Sequence, residues 1–203
     1  TIFELELFKE TLPFKAFKPS LAAKSRMVMG YEGKGKDTKV IVKNGTEIIP
    51  SIVTQMPKKD SLQIWFKPLK ADSLQVNVEK DQYKTDFIVK MKAAKGDTLS
   101  FNADLSGNLP LRERYVLNST TPIVKLDKSK ISITNKDSVA IDFTTEYDDF
   151  NQKLYLDFKR EPLERYTIKA MPGAMTDFFE RENDTLTYKV STKNSSDYAN
   201  LKV

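Results

Sequence analysis

The sequence predicts an all-β fold, and the main reason is a short pattern that recurs along the chain. An acidic residue is followed by a hydroxyl residue and an aliphatic one in Asp60-Ser61-Leu62, Asp72-Ser73-Leu74, Asp97-Thr98-Leu99, Asp137-Ser138-Val139 and Asp184-Thr185-Leu186. Asp, Ser and Thr bond their own nearby backbone and therefore favour turns. Apolar and polar residues alternate after each motif, which is the period of a half-buried strand. The pattern predicts a series of turns and short strands.

The first half of the chain predicts one sandwich. Alternating apolar positions mark strands at Met27, Met29 and Tyr31; Val40 and Val42; Leu62, Ile64 and Phe66; Leu74, Val76 and Val78; Phe87, Val89 and Met91; and Leu99, Phe101, Ala103 and Leu105. Asn44-Gly45 is a hairpin signal between two of these runs. About seven strands in about 95 residues is the density of an immunoglobulin-like sandwich.

The second half predicts a smaller sandwich of the same kind. Gly107, Pro110 and a polar stretch before Pro122 break the alternation, so we place a domain boundary near residues 118–121. The expected domains are then residues 13–118 and 119–203, both immunoglobulin-like and mostly antiparallel. One short helix is expected near residues 175–181, capped by Thr176 or Asp177.

Composition limits the chemistry that the chain can perform. The 203 residues include no Cys and no His. Thiolate nucleophiles and Ser–His–Asp triads are therefore excluded, and the usual ligands of transition metals are missing. No cofactor is implied. An enzyme would have to rely on acidic residues alone.

The positive charge is concentrated in the first part of the chain. Residues 1–118 hold 20 basic and 14 acidic residues, whereas residues 119–203 hold 13 and 14. Two interpretations fit: an anionic partner, or lysines on solvent-facing strand positions that discourage edge-to-edge pairing. The densest group, Lys34, Lys36 and Lys39, is a candidate interaction patch. No aromatic residues interleave it, so nucleic acid is not expected as a partner.

Two other groups of residues are candidate binding sites. Glu146, Asp148, Asp149 and Asn151 present four oxygen-bearing side chains that could hold Ca²⁺, although a solvated acidic turn is the preferred interpretation. Trp65, the single tryptophan, could pack in the core or, if exposed, bind a partner or a sugar. A sugar platform would need a second exposed aromatic residue, and Tyr31 and Phe66 are the candidates.

Several stretches resemble a known group of proteins. Residues 5–20, Gly30-Tyr31-Glu32-Gly33 and Trp65-Phe66-Lys67-Pro68 resemble Ig-like domain-containing envelope lipoproteins of Bacteroidetes. Residues 122–143, 171–179 and 183–186 are similar to bacterial Ig-like modules that also occur in surface-layer proteins. In that pattern a glycine commonly stands where this chain has Glu180, and another where it has Ala199.

The resemblance implies an internal fragment of a longer envelope protein. Residues 1–12 would be the last strand of a preceding β module, and the C-terminal residues would lead into a further module. The implied location is the outer membrane, reached through a lipid anchor outside this fragment, and the implied partners are other envelope proteins. The family carries no catalytic motif.

Three functions follow as hypotheses. The first is a non-enzymatic structural and protein-interaction module, a scaffold or accessory subunit of an envelope complex. The second is a carbohydrate-binding or adhesion module, which requires exposed aromatic residues in a row. The third is an enzyme, which requires a pair of carboxylates in a pocket.

Overall fold

The computed structural model of the chain describes residues 12–194 and divides into two units, Thr1–Gly96 and Asp97–Val203. Both units are built from β-strands, which confirms the predicted fold class. In the described residues, helix is limited to one 3-10 turn, Lys128–Lys130. No helix in this part of the chain is long and apolar enough to cross a membrane.

The described part of unit 1, residues 12–96, contains nine strands. They are β1 (Lys15–Ala16), β2 (Ser20–Ala23), β3 (Arg26–Glu32), β4 (Lys39–Asn44), β5 (Glu47–Ile49), β6 (Ser51–Gln55), β7 (Ser61–Phe66), β8 (Ser73–Lys80) and β9 (Tyr83–Lys90). One sheet has the order β1-β3-β7-β6, with β2 also paired to β3, and the other has the order β5-β4-β8-β9. With β1 and β2 as strand A, these orders are the ABED and C′CFG sheets of an immunoglobulin fold.

Unit 2 contains the remaining strands. They are β10 (Phe101–Ala103), β11 (Gly107–Asn108), β12 (Tyr115–Ser119), β13 (Ile123–Leu126), β14 (Ile131–Thr134), β15 (Phe143–Asp148), β16 (Lys153–Phe158), β17 (Arg165–Ala170), β18 (Met175–Asp177) and β19 (Leu186–Ser191). The orders β10-β12-β16-β15 and β11-β19-β17-β14 are again immunoglobulin sheets. Strands β13 and β18 form a two-stranded sheet from the connections that correspond to the B–C and F–G loops.

Each unit buries the apolar positions that alternate along its strands. In unit 1, Met27, Met29, Leu62, Ile64 and Phe66 are completely buried. The core of unit 2 is a separate cluster of strand residues that includes Leu109, Tyr115, Leu156, Tyr166 and Ile168. The strands formed because these side chains can leave water only when the two sheets of a unit close on each other.

The acid–hydroxyl motifs precede strands, as predicted. Three of the motifs contain the first residue of a strand, which is Ser61, Ser73 or Leu186. The other two motifs lie a few residues before β10 and β15.

The boundary between the units lies between Gly96 and Asp97, rather than near residues 118–121. Strands β10, β11 and β12 belong to the sheets of unit 2, through the pairings of β10 with β12 and of β11 with β19. The β11–β19 pairing joins residues more than 80 positions apart, so no local pattern could reveal it. The predicted strand of residues 1–12 and the lead into a further module lie almost entirely outside the described residues.

The predicted helix near residues 175–181 is wrong. Residues 175–177 form β18, and a tight turn closes with a bridge between Thr176 and Glu182. The Asp177 carboxylate accepts hydrogen bonds from the backbone N–H groups of Phe179 and Arg181, both at 2.9 Å. These are the bonds of a capping residue, which explains the misleading local signal. Glu180 has a φ of 66°, the left-handed conformation that favours glycine.

The hydroxyl of Tyr115 is a buried polar group in the core of unit 2. The side chain is 1% exposed, and the hydroxyl has no hydrogen-bond partner within residues 12–194. Burial raises the pKa of Tyr115, and the nearby Tyr188 adds to this. An unpaired buried hydroxyl costs about 1–3 kcal/mol.

We therefore expect Tyr115→Phe to raise the free energy of unfolding of unit 2 by about 1 kcal/mol, because the substitution removes only the unpaired hydroxyl. Tyr166→Phe is the matched control. The Tyr166 hydroxyl accepts the Glu161 N–H at 2.7 Å, so this variant should lose about 1 kcal/mol. Urea unfolding of both variants measures the difference, and a destabilised Tyr115→Phe would contradict the assignment.

The buried Tyr115 hydroxyl also predicts that the free energy of unfolding of unit 2 depends on pH in the alkaline range. The folded state holds the Tyr115 proton above its unfolded pKa of about 10, whereas the unfolded chain releases it. The free energy of unfolding should therefore be constant below about pH 10 and fall as the pH rises further. The fall should be smaller in Tyr115→Phe, and an equal fall in both proteins would contradict this origin.

Candidate interaction surfaces

The three aromatic residues considered for a sugar platform are all buried. Trp65 is 1% exposed, Phe66 is 0% exposed and Tyr31 is 8% exposed. They cannot form the exposed row that stacking on a sugar needs, so the proposed interaction roles of Trp65 and Tyr31 are wrong.

Trp65 is held in a polar network on the face of β7 opposite to the core residues. Its indole Nε1 donates to Thr54 Oγ1 at 2.9 Å, and Gln63 Nε2 donates to the same oxygen at 3.4 Å. The Arg26 guanidinium lies 5.2 Å from the Trp65 ring centroid and donates to Gln63 Oε1 at 3.1 Å. The sequence signal for this network was Gln63 two residues before Trp65, because residues i and i+2 of a strand share a face.

Tyr31 packs against the turn that precedes β4. Its hydroxyl donates to Gln55 Oε1 at 2.9 Å, and Phe14 stacks on its ring with a centroid distance of 6.1 Å. A Cβ atom at Gly35 would lie 2.5 Å from the Tyr31 ring. Gly35 is therefore needed for close packing, and Tyr31 has a structural role.

The four oxygen-bearing residues of the second half do not come together as a cation site. Asp148 accepts hydrogen bonds from the backbone N–H and the side-chain amide of Asn151, at 2.9 and 2.7 Å. Glu146 pairs with Arg114, and Asp149 is exposed. Within residues 12–194, no group of three or more acidic side chains has an arrangement that could hold a metal ion. The geometry matches the alternative, a solvated acidic turn.

The lysines of the predicted patch are exposed. Lys34 and Lys36 lie in the turn before β4, and Lys39 begins that strand. Lys39 thereby joins a broad surface, which we call the lysine–isoleucine face. It comprises the solvent-facing positions of β4, β5, β8 and β9: Lys39, Ile41, Lys43, Ile48, Gln75, Asn77, Glu79, Lys84, Asp86, Ile88 and Lys90.

The register places two strongly exposed isoleucines in one row across this face. Ile48 pairs with Lys43, Lys43 pairs with Gln75, and Gln75 pairs with Ile88. Ile48 and Ile88 are both 64% exposed, and three strand spacings separate them by about 14 Å. A shallow depression beside this row is lined by Ile41, Lys43 and Asn77 among others. Exposed aliphatic side chains interspersed with charged ones are suited to contact with another protein.

Unit 2 contains a buried ion pair that sequence reasoning missed. Asp177 is 0% exposed, and its Oδ2 accepts from Arg181 Nη2 at 2.7 Å, from Arg181 Nε at 3.0 Å and from Thr121 Oγ1 at 2.9 Å. Arg181 also donates to the carbonyl of Asp97, where unit 2 begins. Asp177 is the only buried carboxylate among residues 12–194, so this part of the chain has no buried carboxylate pair for acid–base catalysis.

Comparison with known proteins places the chain in no family. No family model matches it, and no curated protein matches it. Among solved structures, the titin fragment A168–A169 is 12% identical, with 87% of this chain and 95% of that chain covered and a TM-score of 0.30. The tandem Ig repeats of Dlar are 11% identical, with coverages of 89% and 99% and a TM-score of 0.27.

Domains 4–9 of the surface layer protein SbsC are 10% identical, with 91% of this chain and 32% of that chain covered and a TM-score of 0.32. The immunoglobulin assignment stands on the strand orders of the chain itself: two tandem Ig-like sandwiches, an architecture typical of structural and interaction modules.

Proposed function

We propose that this chain is a non-enzymatic structural and protein-interaction part of a bacterial outer-membrane or surface lipoprotein, where it acts as a scaffold or accessory subunit of an envelope complex. The lysine–isoleucine face of unit 1 is the surface that contacts the partner. The observation that carries this proposal is the row from Ile48 to Ile88, two strongly exposed aliphatic side chains at opposite edges of one sheet.

The composition of the face supports a protein partner. Its four lysines, Lys39, Lys43, Lys84 and Lys90, are accompanied by Glu79 and Asp86, so the surface is mixed in charge. Lys84 pairs with Glu79 at 3.4 Å, which leaves the other three lysines for contacts outside the unit. Protein interfaces combine apolar contacts with charged side chains, and exposed ion pairs contribute orientation more than affinity.

The envelope location rests on resemblance. Residues 5–20 and 171–179 carry the patterns of the Bacteroidetes envelope proteins and of the bacterial Ig-like modules. In this proposal the membrane attachment is a lipid anchor outside residues 1–203, and the chain presents the lysine–isoleucine face of unit 1 to the partner.

The test is purification of the tagged full-length protein from its native membranes, followed by mass spectrometry. We expect a stoichiometric envelope protein to accompany the wild type. Ile48→Glu combined with Ile88→Glu should lower the recovered partner at least about tenfold, because charges then occupy the apolar positions of the interface.

The matched control is Val124→Glu combined with Val139→Glu, since both valines are 56% exposed and lie in unit 2. This control should retain the partner, and circular dichroism should show that both variants remain folded. Recovery of no stoichiometric protein with the wild type, or equal loss in both variants, would refute the proposed role of the face.

A further inference from the structure

Unit 1 contains a second surface feature, an open groove built from three separate segments. It is lined by Lys24 after β2, by residues 69–72 between β7 and β8, and by residues 91–94 after β9. The groove is widely open to solvent and has a volume of about 710 Å³. Leu69 and Met91 supply apolar surface, and Lys24, Lys70 and Lys92 supply positive charge.

The positive charge of the groove is not neutralised within the described part of the chain. No acidic side chain of residues 12–194 lies within 4.0 Å of the ammonium groups of Lys24, Lys70 or Lys92. Asp72 is the single acidic residue in the lining. Residues 12–96 as a whole contain 17 basic and 8 acidic residues, so the surrounding field is also positive.

The walls also present unpaired backbone. Residues 69–71 and 92–94 belong to no strand, and their N–H groups donate to no group of residues 12–194. Two backbone bonds secure the ends of these walls: Met91 N–H to the Asp72 carbonyl at 2.8 Å, and Lys24 N–H to the Lys95 carbonyl at 3.0 Å. The segments are thus tied together at these two points, and the N–H groups of residues 69–71 and 92–94 remain available to an external acceptor.

We propose that this groove binds an extended acidic polypeptide segment of a partner protein, with carboxylates on the lysines, an aliphatic side chain over Leu69 and Met91, and main-chain hydrogen bonds to the walls. This deepens the proposed interaction role and adds a second contact distinct from the lysine–isoleucine face. Charge complementarity selects an anion, and the free backbone donors select a ligand that has main-chain acceptors of its own.

Other anionic macromolecules fit the groove less well. The lining contains no aromatic side chain on which a nucleic acid base or a sugar could stack. It contains no Arg for bidentate recognition of phosphate. A flat membrane surface could contact exposed lysines but could not follow the concave surface of a groove.

The test measures binding of a short fluorescein-labelled peptide of Asp and Glu with interspersed Leu to the whole chain, by fluorescence anisotropy at low salt. Lys24→Glu, Lys70→Glu and Lys92→Glu combined should weaken binding about 30-fold, since three attractive pairs become repulsive. The matched control combines Lys18→Glu, Lys58→Glu and Lys59→Glu, which changes the net charge equally at exposed lysines outside both the groove and the lysine–isoleucine face, and it should change affinity less than about threefold.

A peptide with Asn and Gln in place of the acids should not bind. Equal loss in the two triple variants would overturn the proposal, because it would indicate attraction to net charge alone. Binding of oligothymidine or of anionic phospholipid vesicles that depends on the groove lysines, without binding of the acidic peptide, would also overturn it. The lysine–isoleucine face is tested separately by its own glutamate variants, so failure here leaves that result unaffected.

Discussion

Trp65→Ala should lower the free energy of unfolding of unit 1 by about 3–5 kcal/mol, the usual loss for a buried aromatic residue. The ring is 1% exposed, so its removal leaves a large cavity. It also removes the indole donor to Thr54 and the ring face that contacts the Arg26 guanidinium. Because small domains are stable by only about 5–15 kcal/mol, unit 1 should be close to unfolding at body temperature.

Scanning calorimetry of the whole chain measures this effect. The transition of unit 1 should move to lower temperature, while that of unit 2 stays in place. Ile88→Ala is the control in the same unit, because its side chain is 64% exposed and the loss should be within about 0.5 kcal/mol. A Trp65→Ala variant as stable as Ile88→Ala would show that the indole is not part of the packed structure.

Asp177→Asn should destabilise unit 2 by about 2–3 kcal/mol. The substitution preserves shape but removes the charge that faces Arg181, so an amide group meets the guanidinium donors. Breaking a buried ion pair by changing one partner costs about 3–5 kcal/mol. We take a smaller value because the Arg181 side chain is 37% exposed and water can solvate it after the change.

The control for Asp177 is another carboxylate–arginine pair of the same unit. Glu146 and Arg114 are joined at 2.5 Å, but their side chains are 66% and 40% exposed. Glu146→Gln should therefore cost less than about 1 kcal/mol. Urea unfolding compares the two variants, and equal losses would mean that burial does not strengthen the Asp177 pair.

The strands were predictable because their signal is local. In β7 the alternation of Leu62, Ile64 and Phe66 identified the face that meets the core, and all three are buried. The same rule assigned Trp65 and Gln63 to the opposite face, which is where they lie. Their burial was not predictable, because alternation within one strand shows which residues share a face but not whether that face is covered.

In the hairpin of residues 175–182, the local sequence correctly predicted the hydrogen bonds of a capping residue but wrongly predicted a helix. Asp177 makes the side-chain-to-backbone bonds that the sequence suggested. A strand and a turn form instead of a helix because β18 pairs with β13, a segment some 50 residues earlier. Tertiary pairing outweighs the weak helix propensity of so short a segment.

The amino-acid pattern was sufficient to predict a tandem of antiparallel sandwiches rich in turn signals, with a basic first part and without the side chains of thiol or histidine catalysis. The boundary at Gly96, the pairing of Asp177 with Arg181 and Thr121, and the assembly of the basic groove from three separate segments became visible only in the folded chain. Turns and alternation depend on neighbours along the chain, whereas burial and charge clustering depend on strands that meet only after folding.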